Sequence, residues 1–408
     1  MSTMINEVTL LGHKDHGKST LIGRMLMDTH SVSKARIDNA KMMSKRLGRK
    51  FEPGFLLDSF EEEQEGALTI DTTRAQIKYR GSAFEFIDVP GHEELIKNMI
   101  SGASNASFAL LMVSAKGDEG VEDQTKRHLF LAKMMGIESI IVCVNKMDTV
   151  DYSERRFEEI VGGLRPFLSN VGFARNSVIF VPVSAYNSDN ISRRSERMGW
   201  YRGKPLLDLL VDLSKRRRSS SDKTLRIIFQ GVMGAGDDLK YIGRVVSGSL
   251  NEGEQIVLMP TGKRVMIERI FVKGRAKQTA RSGENVALVL DRHIAGDGRG
   301  IVGYGSRHRG VRSKSIDALI FAIGRIGVRA KIRSNGVEHQ CSIKLVNGID
   351  TTTGGAAAWS GVRELEAGRV VINLNDYICV EPFAKSRELG RFTIHSGKEL
   401  VGIGIVNG

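Results

Sequence analysis

The sequence has few cysteines and no long apolar segment. Its three cysteines, Cys143, Cys341 and Cys379, are widely spaced, which excludes a disulfide framework or a cysteine-rich metal cluster and predicts buried thiols in a reducing compartment. Its apolar runs, such as residues 140–144, are far shorter than the about 18 residues that a membrane helix needs. Because residues 1–7 also lack the pattern of a secretory signal, we expect a cytoplasmic protein without a membrane partner.

Aromatic side chains are also scarce. They make up 6% of the 408 residues and do not alternate with basic ones, which argues against base stacking on single strands but not against docking on a folded nucleic acid. Lysine and arginine number 60 against 47 acidic residues. Residues 1–200 hold 26 basic and 27 acidic side chains, whereas residues 201–408 hold 34 and 20. The sequence therefore predicts a near-neutral module followed by a basic one that meets the partners.

Short apolar runs rich in β-branched residues recur through the first half of the chain, separated by polar segments of helical length. These runs are residues 8–11, 84–87, 109–113, 140–144 and 178–183. Fully apolar strands that alternate with helices are typical of a parallel sheet covered on both faces. Residues 1–214 are therefore expected to form an α/β domain.

The second half has the pattern of an all-β chain. Residues 215–222 are basic and serine-rich without apolar periodicity, and they predict a linker. Beyond them short strands recur, and Asn335-Gly336 predicts a hairpin turn. Because a glycine-rich break divides this region, we expect two all-β barrel domains, at residues 222–303 and 310–408.

Residues 12–19 read Gly-His-Lys-Asp-His-Gly-Lys-Ser and match the pattern G-x-x-x-x-G-K-S/T at every fixed position. An apolar strand precedes them and a helical segment follows, which is the context that this phosphate-binding loop requires. Its glycines let backbone N–H groups and the helix N-terminus face the β-phosphate. Lys18 is expected to reach the β- and γ-phosphates, and the hydroxyl of Ser19 to bind Mg²⁺. The motif therefore predicts a nucleotide site.

Asp88 opens a second motif, Asp-Val-Pro-Gly, directly after the run at 84–87. From the end of a strand its carboxylate can hold a magnesium-bound water, and the N–H of Gly91 can contact the γ-phosphate. Alone this motif indicates only a turn, and it gains weight from the phosphate loop that precedes it in the chain.

The segment Asn145-Lys146-Met147-Asp148 follows another apolar run. An aspartate there can accept hydrogen bonds from both the N1–H and the 2-amino group of guanine, which adenine does not offer, so the wrong base leaves a buried carboxylate unsatisfied. Ser184-Ala185 can complete the pocket with a backbone N–H. Three motifs in order, each at a strand end, predict that the first domain binds GTP.

Together these motifs resemble the translation-factor class of GTPases, and the resemblance covers essentially the whole chain. It implies an α/β P-loop GTPase domain followed by two barrels, with GTP and Mg²⁺ bound. It also implies that Thr69 closes on Mg²⁺ and the γ-phosphate, that His92 orients the attacking water, and that Asp15 lies close to the phosphates. The implied catalytic residues are His92, Lys18 and Thr69, and the implied magnesium ligands are Ser19, Thr69 and Asp88. The residues expected to bind GTP are Asp15, His16, Gly17, Lys18, Ser19, Thr20, Asp88, Gly91, Asn145, Lys146, Asp148, Ser184 and Ala185.

Two branches of this class fit the chain. One is the elongation factors of the Tu and 1-alpha type, and the other is the large subunit of bacterial ATP sulfurylase (sulfate adenylyltransferase). Several stretches look more like the sulfurylase subunit, among them residues 55–65, 127–128, 241–248, 258–262 and 389–392. The favoured function therefore couples GTP hydrolysis to the formation of adenosine 5′-phosphosulfate from ATP and sulfate, with a separate small catalytic subunit as partner. The alternative is delivery of aminoacyl-tRNA to the ribosome. The loop histidines His13 and His16 match the phosphate-loop pattern of the elongation factors.

The other histidines show no spacing typical of metal ligands. They are expected to be surface or packing residues: His30, His128, His293, His308, His339 and His395. The sequence therefore predicts no metal site besides that of magnesium.

Overall fold

The computed structural model forms two compact units. The first comprises Met1–Ser219 with Thr351–Gly355, and the second comprises Ser220–Asp350 with Ala356–Gly408. The structure describes residues 5–46, 48, 51–57, 74–88, 108–117, 122–217, 224–234, 236, 239–294, 296, 298–306, 310–358 and 363–407.

The first unit is built on a six-stranded sheet. Its strands are β1 (Ile5–Leu11), β2 (Arg74–Tyr79), β3 (Ser82–Asp88), β4 (Phe108–Ser114), β5 (Ser139–Asn145) and β6 (Val178–Pro182). Their order is β2-β3-β1-β4-β5-β6. Strands β3, β1, β4, β5 and β6 run parallel, as the apolar runs predicted. Strand β2 is antiparallel to β3 at the edge of the sheet. Because the carboxyl ends of parallel strands share one edge of the sheet, the predicted motifs at those ends are brought together.

The described helices connect these strands. Their bounds are α1 (Lys18–Asp28), α2 (Lys34–Arg46), α3 (Asp123–Met134), α4 (Glu154–Asn170) and α5 (Leu206–Arg217). Strand residues such as Val8 and Leu110 are fully buried in one core cluster with Leu21 of α1 and Leu210 of α5. Helix α5 continues into the basic stretch expected as a linker, since lysine and arginine favour helix. Among the described residues, no helix combines the length and the apolarity that crossing a membrane requires.

The second unit contains two closed barrels. The strands of the first are β7 (Arg226–Met233), β8 (Lys240–Ser247), β9 (Ser249–Asn251), β10 (Gln255–Met259), β11 (Lys263–Val272), β12 (Arg275–Ala276), β13 (Thr279–Arg281), β14 (Asn285–Leu290) and β15 (Val302–Gly305). Six of them close antiparallel in the order β10-β15-β7-β8-β14-β11 and back to β10. Strand β15 extends past residue 303, where the sequence predicted the end of the first barrel.

The second barrel follows without a helix among its described residues. Its strands are β16 (Val311–Ala322), β17 (Arg329–Ser334), β18 (Val337–Ile349), β19 (Ala356–Ala357), β20 (Ala367–Val380), β21 (Arg391–Ser396) and β22 (Glu399–Val406). Closure runs β17-β21-β22-β16-β20-β18 and back to β17. The predicted hairpin turn joins β17 to β18, where Asn335 and Gly336 have φ values of 49° and 80°. The predicted fold class, an α/β domain followed by two all-β barrels, is confirmed.

A buried ion pair joins the two barrels within the second unit. Arg226 of β7 donates from Nε and Nη2 to the two carboxylate oxygens of Glu381, at 2.7 and 2.8 Å, and the side chains are 3% and 4% exposed. Arg226 also donates to the hydroxyl of Ser247 at 3.0 Å. This two-pronged geometry fixes orientation as well as distance. An apolar cluster lies between the barrels: Val257, Met259, Val302, Tyr304, Cys379 and Leu389.

All three cysteines are buried and free. Burial raises the pKa of the Cys341 and Cys379 thiols to about 11, and it raises the pKa of Cys143 further above the ordinary range. The thiolate, which is the reactive form, is therefore strongly disfavoured at each position.

Replacing one partner of the buried pair should destabilise the barrels strongly. We expect Arg226→Met to lower the free energy of unfolding by about 3–5 kcal/mol, because it leaves the Glu381 carboxylate buried without its counter-ion. The double substitution Arg226→Met with Glu381→Leu should recover most of this loss. The unfolding transition of the barrels in urea measures the free energy of unfolding of both variants.

The matched control is Arg333→Met. This arginine pairs with Glu338 at 2.6 Å, but the two side chains are 52% and 37% exposed, so the change should cost less than about 1 kcal/mol. Equal losses for Arg226→Met and Arg333→Met would contradict the assignment of a special role to the buried pair.

Candidate functional site

The phosphate loop runs from the end of β1 to the start of α1. Gly12 and Gly17 have φ values of +130° and +87°, a region that side-chain-bearing residues rarely adopt. A Cβ at Gly12 would lie 2.5 Å from the carbonyl oxygen of Met112, and one at Gly17 would lie 2.5 Å from Nδ2 of Asn145. Only glycine at both positions lets the loop pack this closely on the ends of β4 and β5.

The N-terminus of α1 has the chemistry of an anion site. Gly17 is its N-cap, no side chain caps it, and its first turn contains no acidic residue, so the first N–H groups and the helix dipole favour a bound anion. Lys18 is 5% exposed, and its Nζ donates to the carbonyls of Gly12 at 2.9 Å and His13 at 3.4 Å. The ammonium group therefore lies inside the loop, where a phosphate would be surrounded by donors.

Asn145 connects the phosphate loop to the predicted base pocket. The side chain is buried, and its Nδ2 donates to the carbonyl of His16 at 2.9 Å. Its Oδ1 accepts from the backbone N–H of Ala185 at 2.9 Å. One amide thus fixes the distance between the loop of β1 and the turn that follows β6.

The carboxylate of Asp148 lies beside this amide in the chain. Its Oδ1 accepts a hydrogen bond of 2.6 Å from the hydroxyl of Ser184. Lys146 adopts a left-handed conformation with φ 64°, which starts the turn that carries Asp148. The structure therefore brings together four residues predicted from the guanine motifs, namely Asn145, Asp148, Ser184 and Ala185.

Arg24 belongs to the site and was missed from the sequence. Its Nε and Nη2 donate to the carbonyls of Ala185 and Tyr186, at 3.2 and 2.5 Å. It thereby ties α1 to the turn after β6. An arginine nearly two helical turns into α1 resembles any solvated helix residue, so the sequence carries no local signal for this contact.

His16 enters the site through its backbone. Its carbonyl is held by Asn145, whereas its ring is buried and Nδ1 lies 3.0 Å from the carbonyl oxygen of Met112. Burial lowers the pKa of this imidazole. The ring therefore packs against β4 and remains neutral, and it is the main chain of the loop that faces a phosphate.

The other predicted residues are placed unevenly. Asp88 ends β3 at the register position of Leu10 in β1, so its backbone lies beside the strand that leads into the phosphate loop. Asp15 is exposed within the loop, and Ser19 and Thr20 lie in the first turn of α1. Thr69, Gly91 and His92 lie outside the described residues.

Comparison with known proteins agrees with this geometry. The model of the Elongation factor Tu GTP binding domain matches residues 3–216, and that of the GTP-eEF1A C-terminal domain-like family matches residues 323–407. Elongation factor 1-alpha of Saccharolobus solfataricus is 37% identical over 97% of this chain and 95% of its own length. The chain belongs to the elongation factor Tu/1-alpha family of GTPases. Elongation factor 1-alpha of Sulfurisphaera tokodaii is 35% identical over the same shares of the two chains, 97% and 95%.

Among solved structures, the chain is similar to Sup35 complexed with GDP, with 21% identity and a TM-score of 0.43. That similarity covers 100% of this chain and 94% of the other.

Membership of this family establishes the ligands of the site. This GTPase binds GTP and Mg²⁺, and the residues present fit them. The buried ammonium group of Lys18 and the start of α1 offer donors to phosphate. The hydroxyl of Ser19 is an exposed oxygen ligand at the start of α1, the kind that Mg²⁺ prefers.

The expectation of a sulfate adenylyltransferase subunit is wrong, because the relatives that match the whole chain are elongation factors 1-alpha. Two of the stretches that suggested it, residues 241–248 and 258–262, are needed by the first barrel itself. Tyr241 is buried in the core of the first barrel, a Cβ at Gly243 would lie 2.9 Å from the carbonyl oxygen of Ile228, and Gly262 has a φ of +75° in a turn. Such positions depend on the fold and do not indicate the partner. The sulfurylase small subunit is therefore rejected as a partner, together with the sulfurylase activity.

Removing the amide of Asn145 should weaken nucleotide binding. We expect Asn145→Ala to lower GDP affinity by about 100-fold, or about 2.7 kcal/mol, since it breaks two hydrogen bonds and leaves a buried carbonyl and a buried N–H unpaired. Equilibrium titration with a fluorescent GDP analogue measures this.

Asn187→Ala is the control for that substitution. The Asn187 side chain donates to the hydroxyl of Tyr152 at 3.2 Å and does not contact the phosphate loop, so GDP affinity should stay within about twofold. An Asn145→Ala variant that binds GDP as the parent chain does would refute the bridging role.

Proposed function

We propose that this GTPase carries aminoacyl-tRNA to the ribosome in its GTP form and releases it after hydrolysis. The observation that carries this proposal is that the similarity to elongation factor 1-alpha extends through 97% of the chain at 37% identity, and therefore through the barrels as well as the nucleotide domain. Barrels with a positive charge excess suit a partner rich in phosphate. The cytoplasm, where translation takes place, is the location that follows from the proposal.

For the phosphate end of GTP, we assign binding to the loop of residues 12–17 and to the first turn of α1. The backbone N–H groups there and the ammonium group of Lys18 surround the β- and γ-phosphates, and Lys18 stabilises the charge that develops on the transferring phosphoryl group. By resemblance to the family, His92 orients the attacking water and Gly91 contacts the γ-phosphate, with Asp15 nearby.

For magnesium, the proposed ligands are the hydroxyls of Ser19 and Thr69 and the carboxylate of Asp88, directly or through water. When bound, Mg²⁺ neutralises part of the charge on the β- and γ-phosphates. The residues of this chain orient the phosphates and the water around it, and the change between ordered and released Thr69 and Gly91 provides the switch on hydrolysis.

For the base, the proposed recognition depends on the carboxylate of Asp148. Its Oδ1 is held by the hydroxyl of Ser184, so the group is oriented before the nucleotide arrives. Guanine offers it two donors, and adenine would leave it unsatisfied. The backbone N–H of Ala185 is held by Asn145, which positions this turn, together with Lys146, at the edge of the base.

For the aminoacylated end of tRNA, we propose a cavity of about 410 Å³ on the first barrel. Apolar side chains and two lysines line it, among them Met233, Lys240, Ile242, Phe271 and Lys273. The Nζ atom of Lys240 lies 5.4 Å from the centre of the Phe271 ring. A half-exposed aromatic ring beside ammonium groups suits a terminal base and its phosphate.

Changing the carboxylate of Asp148 should change base preference. In Asp148→Asn the side-chain oxygen can still accept from Ser184, while the new NH₂ group can donate to the 2-oxo group of xanthine. We therefore expect GTP affinity to fall by about 100-fold and XTP affinity to rise. Competition against a fluorescent nucleotide measures the ratio, and Asp151→Asn, an exposed neighbour, should leave it unchanged. An unaltered GTP-to-XTP ratio would exclude the proposed base contact.

The tRNA proposal predicts that the GTP form protects the ester bond of aminoacyl-tRNA from spontaneous hydrolysis and that the GDP form does not. Ribosomes should stimulate GTP turnover of the loaded complex. Substitutions Phe271→Leu and Lys240→Ala should each lower the affinity for aminoacyl-tRNA, measured by this protection, by about 10-fold. That is the loss expected for one stacking or phosphate contact. Lys263→Ala, an exposed lysine of the same barrel outside the cavity, serves as control. Equal protection by both nucleotide forms, or by neither, would reject the proposal.

A further inference from the structure

His13, His16 and Glu122 form a cluster beside the phosphate loop, called here the loop cluster. One nitrogen or oxygen atom from each residue lies within 4.8 Å of the others. His13 is the N-cap of the short 3-10 turn Lys14–His16, which His16 ends, and Glu122 is the N-cap residue of α3. The Nε2 atom of His13 lies 3.8 Å from Oε2 of Glu122. The fold thus brings two imidazoles and a carboxylate together from distant parts of the sequence.

His16 presents an unshared nitrogen to this cluster. Its ring is 1% exposed, and Nδ1 lies 3.0 Å from the carbonyl oxygen of Met112. A carbonyl only accepts, so Nδ1 holds the proton and Nε2 has the lone pair. Within the described part of the chain, Nε2 is buried without a hydrogen-bond partner. A buried acceptor without a partner is costly, and histidines that bind metals characteristically donate their other N–H to a carbonyl in this way.

His13 can adopt the matching protonation state. Its Nδ1 lies 3.8 Å from Oδ2 of Asp15 and accepts from the backbone N–H of Asp15 at 3.5 Å, which is the outer limit for a hydrogen bond. Moving the proton to Nδ1 loses this weak contact, and a small rotation of the exposed Asp15 side chain would let its carboxylate accept from Nδ1. Nε2 then faces Glu122 as a lone pair, and Asp15 orients the ring as carboxylates do behind metal-bound histidines.

We propose that the loop cluster binds one divalent transition-metal ion of the zinc type, held by Nε2 of His13, Nε2 of His16 and the Glu122 carboxylate. Zn²⁺ takes two imidazoles with one carboxylate, whereas Mg²⁺ prefers oxygen ligands and is disfavoured by the two imidazoles. Tetrahedral Zn²⁺ with bonds of about 2.0–2.1 Å holds its ligand atoms about 3.3 Å apart. The 3.8 Å between His13 and Glu122 closes to that value through small rotations of two partly exposed side chains, while His16 stays fixed. Water completes the site.

The consequence would be a cross-link between the phosphate loop and the start of α3. The carbonyl of His16 is already held by Asn145, so a metal on its ring would restrain the loop from both sides. If the ion stabilises the nucleotide-bound shape of the loop, a bound nucleotide must strengthen binding of the ion by the same factor. The site is independent of the proposed tRNA role and separate from the magnesium ligands Ser19 and Asp88.

Cobalt provides the test, since tetrahedral Co²⁺ absorbs visible light far more strongly than octahedral Co²⁺ does. The untagged full chain, saturated with GDP and Mg²⁺, is titrated with Co²⁺ and then with Zn²⁺. We expect one equivalent of Co²⁺ with tetrahedral bands that Zn²⁺ abolishes. Glu122→Gln and His13→Gln should each weaken Co²⁺ binding by about 100-fold, because each removes a direct ligand.

Asp123→Asn is the matched control. This neighbouring carboxylate faces Lys126, at 3.4 Å, and lies outside the cluster, so its variant should bind Co²⁺ as the parent chain does. GDP affinity in the presence of a chelator should be unchanged in Glu122→Gln, which shows that the site has lost its ligand and not its fold. The proposal is overturned if no tetrahedral band forms, or if the band survives both Glu122→Gln and His13→Gln.

Discussion

The two hydrogen bonds of the Asn145 amide are the constraint on which the nucleotide site depends. The phosphate loop is short and contains two glycines in left-handed backbone conformations, so by itself it would sample many shapes. The turn at Ser184-Ala185 is equally free of regular structure. Asn145 holds both from the rigid end of β5, and the absence of a Cβ at Gly17 lets it come close enough to do so. The groups proposed to contact phosphate and guanine are thereby held in a fixed relation to one another.

The features that could be predicted from the sequence are those whose cause is local. Continuous apolar runs predicted β1 and β3 to β6, and Asn335-Gly336 predicted a hairpin turn in the all-β half of the chain. Strand β2 alternates polar and apolar residues at the sheet edge and lacks the continuous apolar character that marked the others. The guanine motifs were recognisable because each follows a strand, and parallel strands deliver their ends to one edge.

The features that escaped prediction join residues far apart in the chain. Arg226 and Glu381 are 155 positions apart, and nothing near either residue indicates burial of a charge. The sequence gives no local signal for the contacts of Arg24 or of the loop cluster either. An arginine, a histidine or a glutamate is interpreted as solvated unless the fold shows which residues surround it. The mistaken sulfurylase assignment has a related cause. Gly243 and Tyr241 serve the packing of the first barrel in this chain, so their presence does not distinguish partners.

The ion pair between the barrels is better understood as a device for orientation than as a source of stability. Taking two charges out of water offsets much of the attraction between them. What remains is directional, because the planar guanidinium of Arg226 meets both oxygens of Glu381 in one geometry only. The surrounding cluster, which includes Val257, Tyr304 and Leu389, is mainly apolar, and apolar contacts are less directional than this pair. The pair therefore selects one arrangement of the two barrels among those that the apolar surfaces would allow.

The three cysteines give this chain a practical property. Cys143 lies inside the central sheet, and Cys341 and Cys379 lie in the second barrel, each shielded from solvent with its thiol held in the protonated form. Maleimides and disulfide reagents need an accessible thiolate, and none of these side chains offers one while the chain is folded. A cysteine placed on an exposed strand or helix would consequently take up a fluorophore selectively, with the native thiols left in place. Fluorophores attached in this way to the nucleotide domain and to a barrel would allow movements between them to be measured as distances in solution.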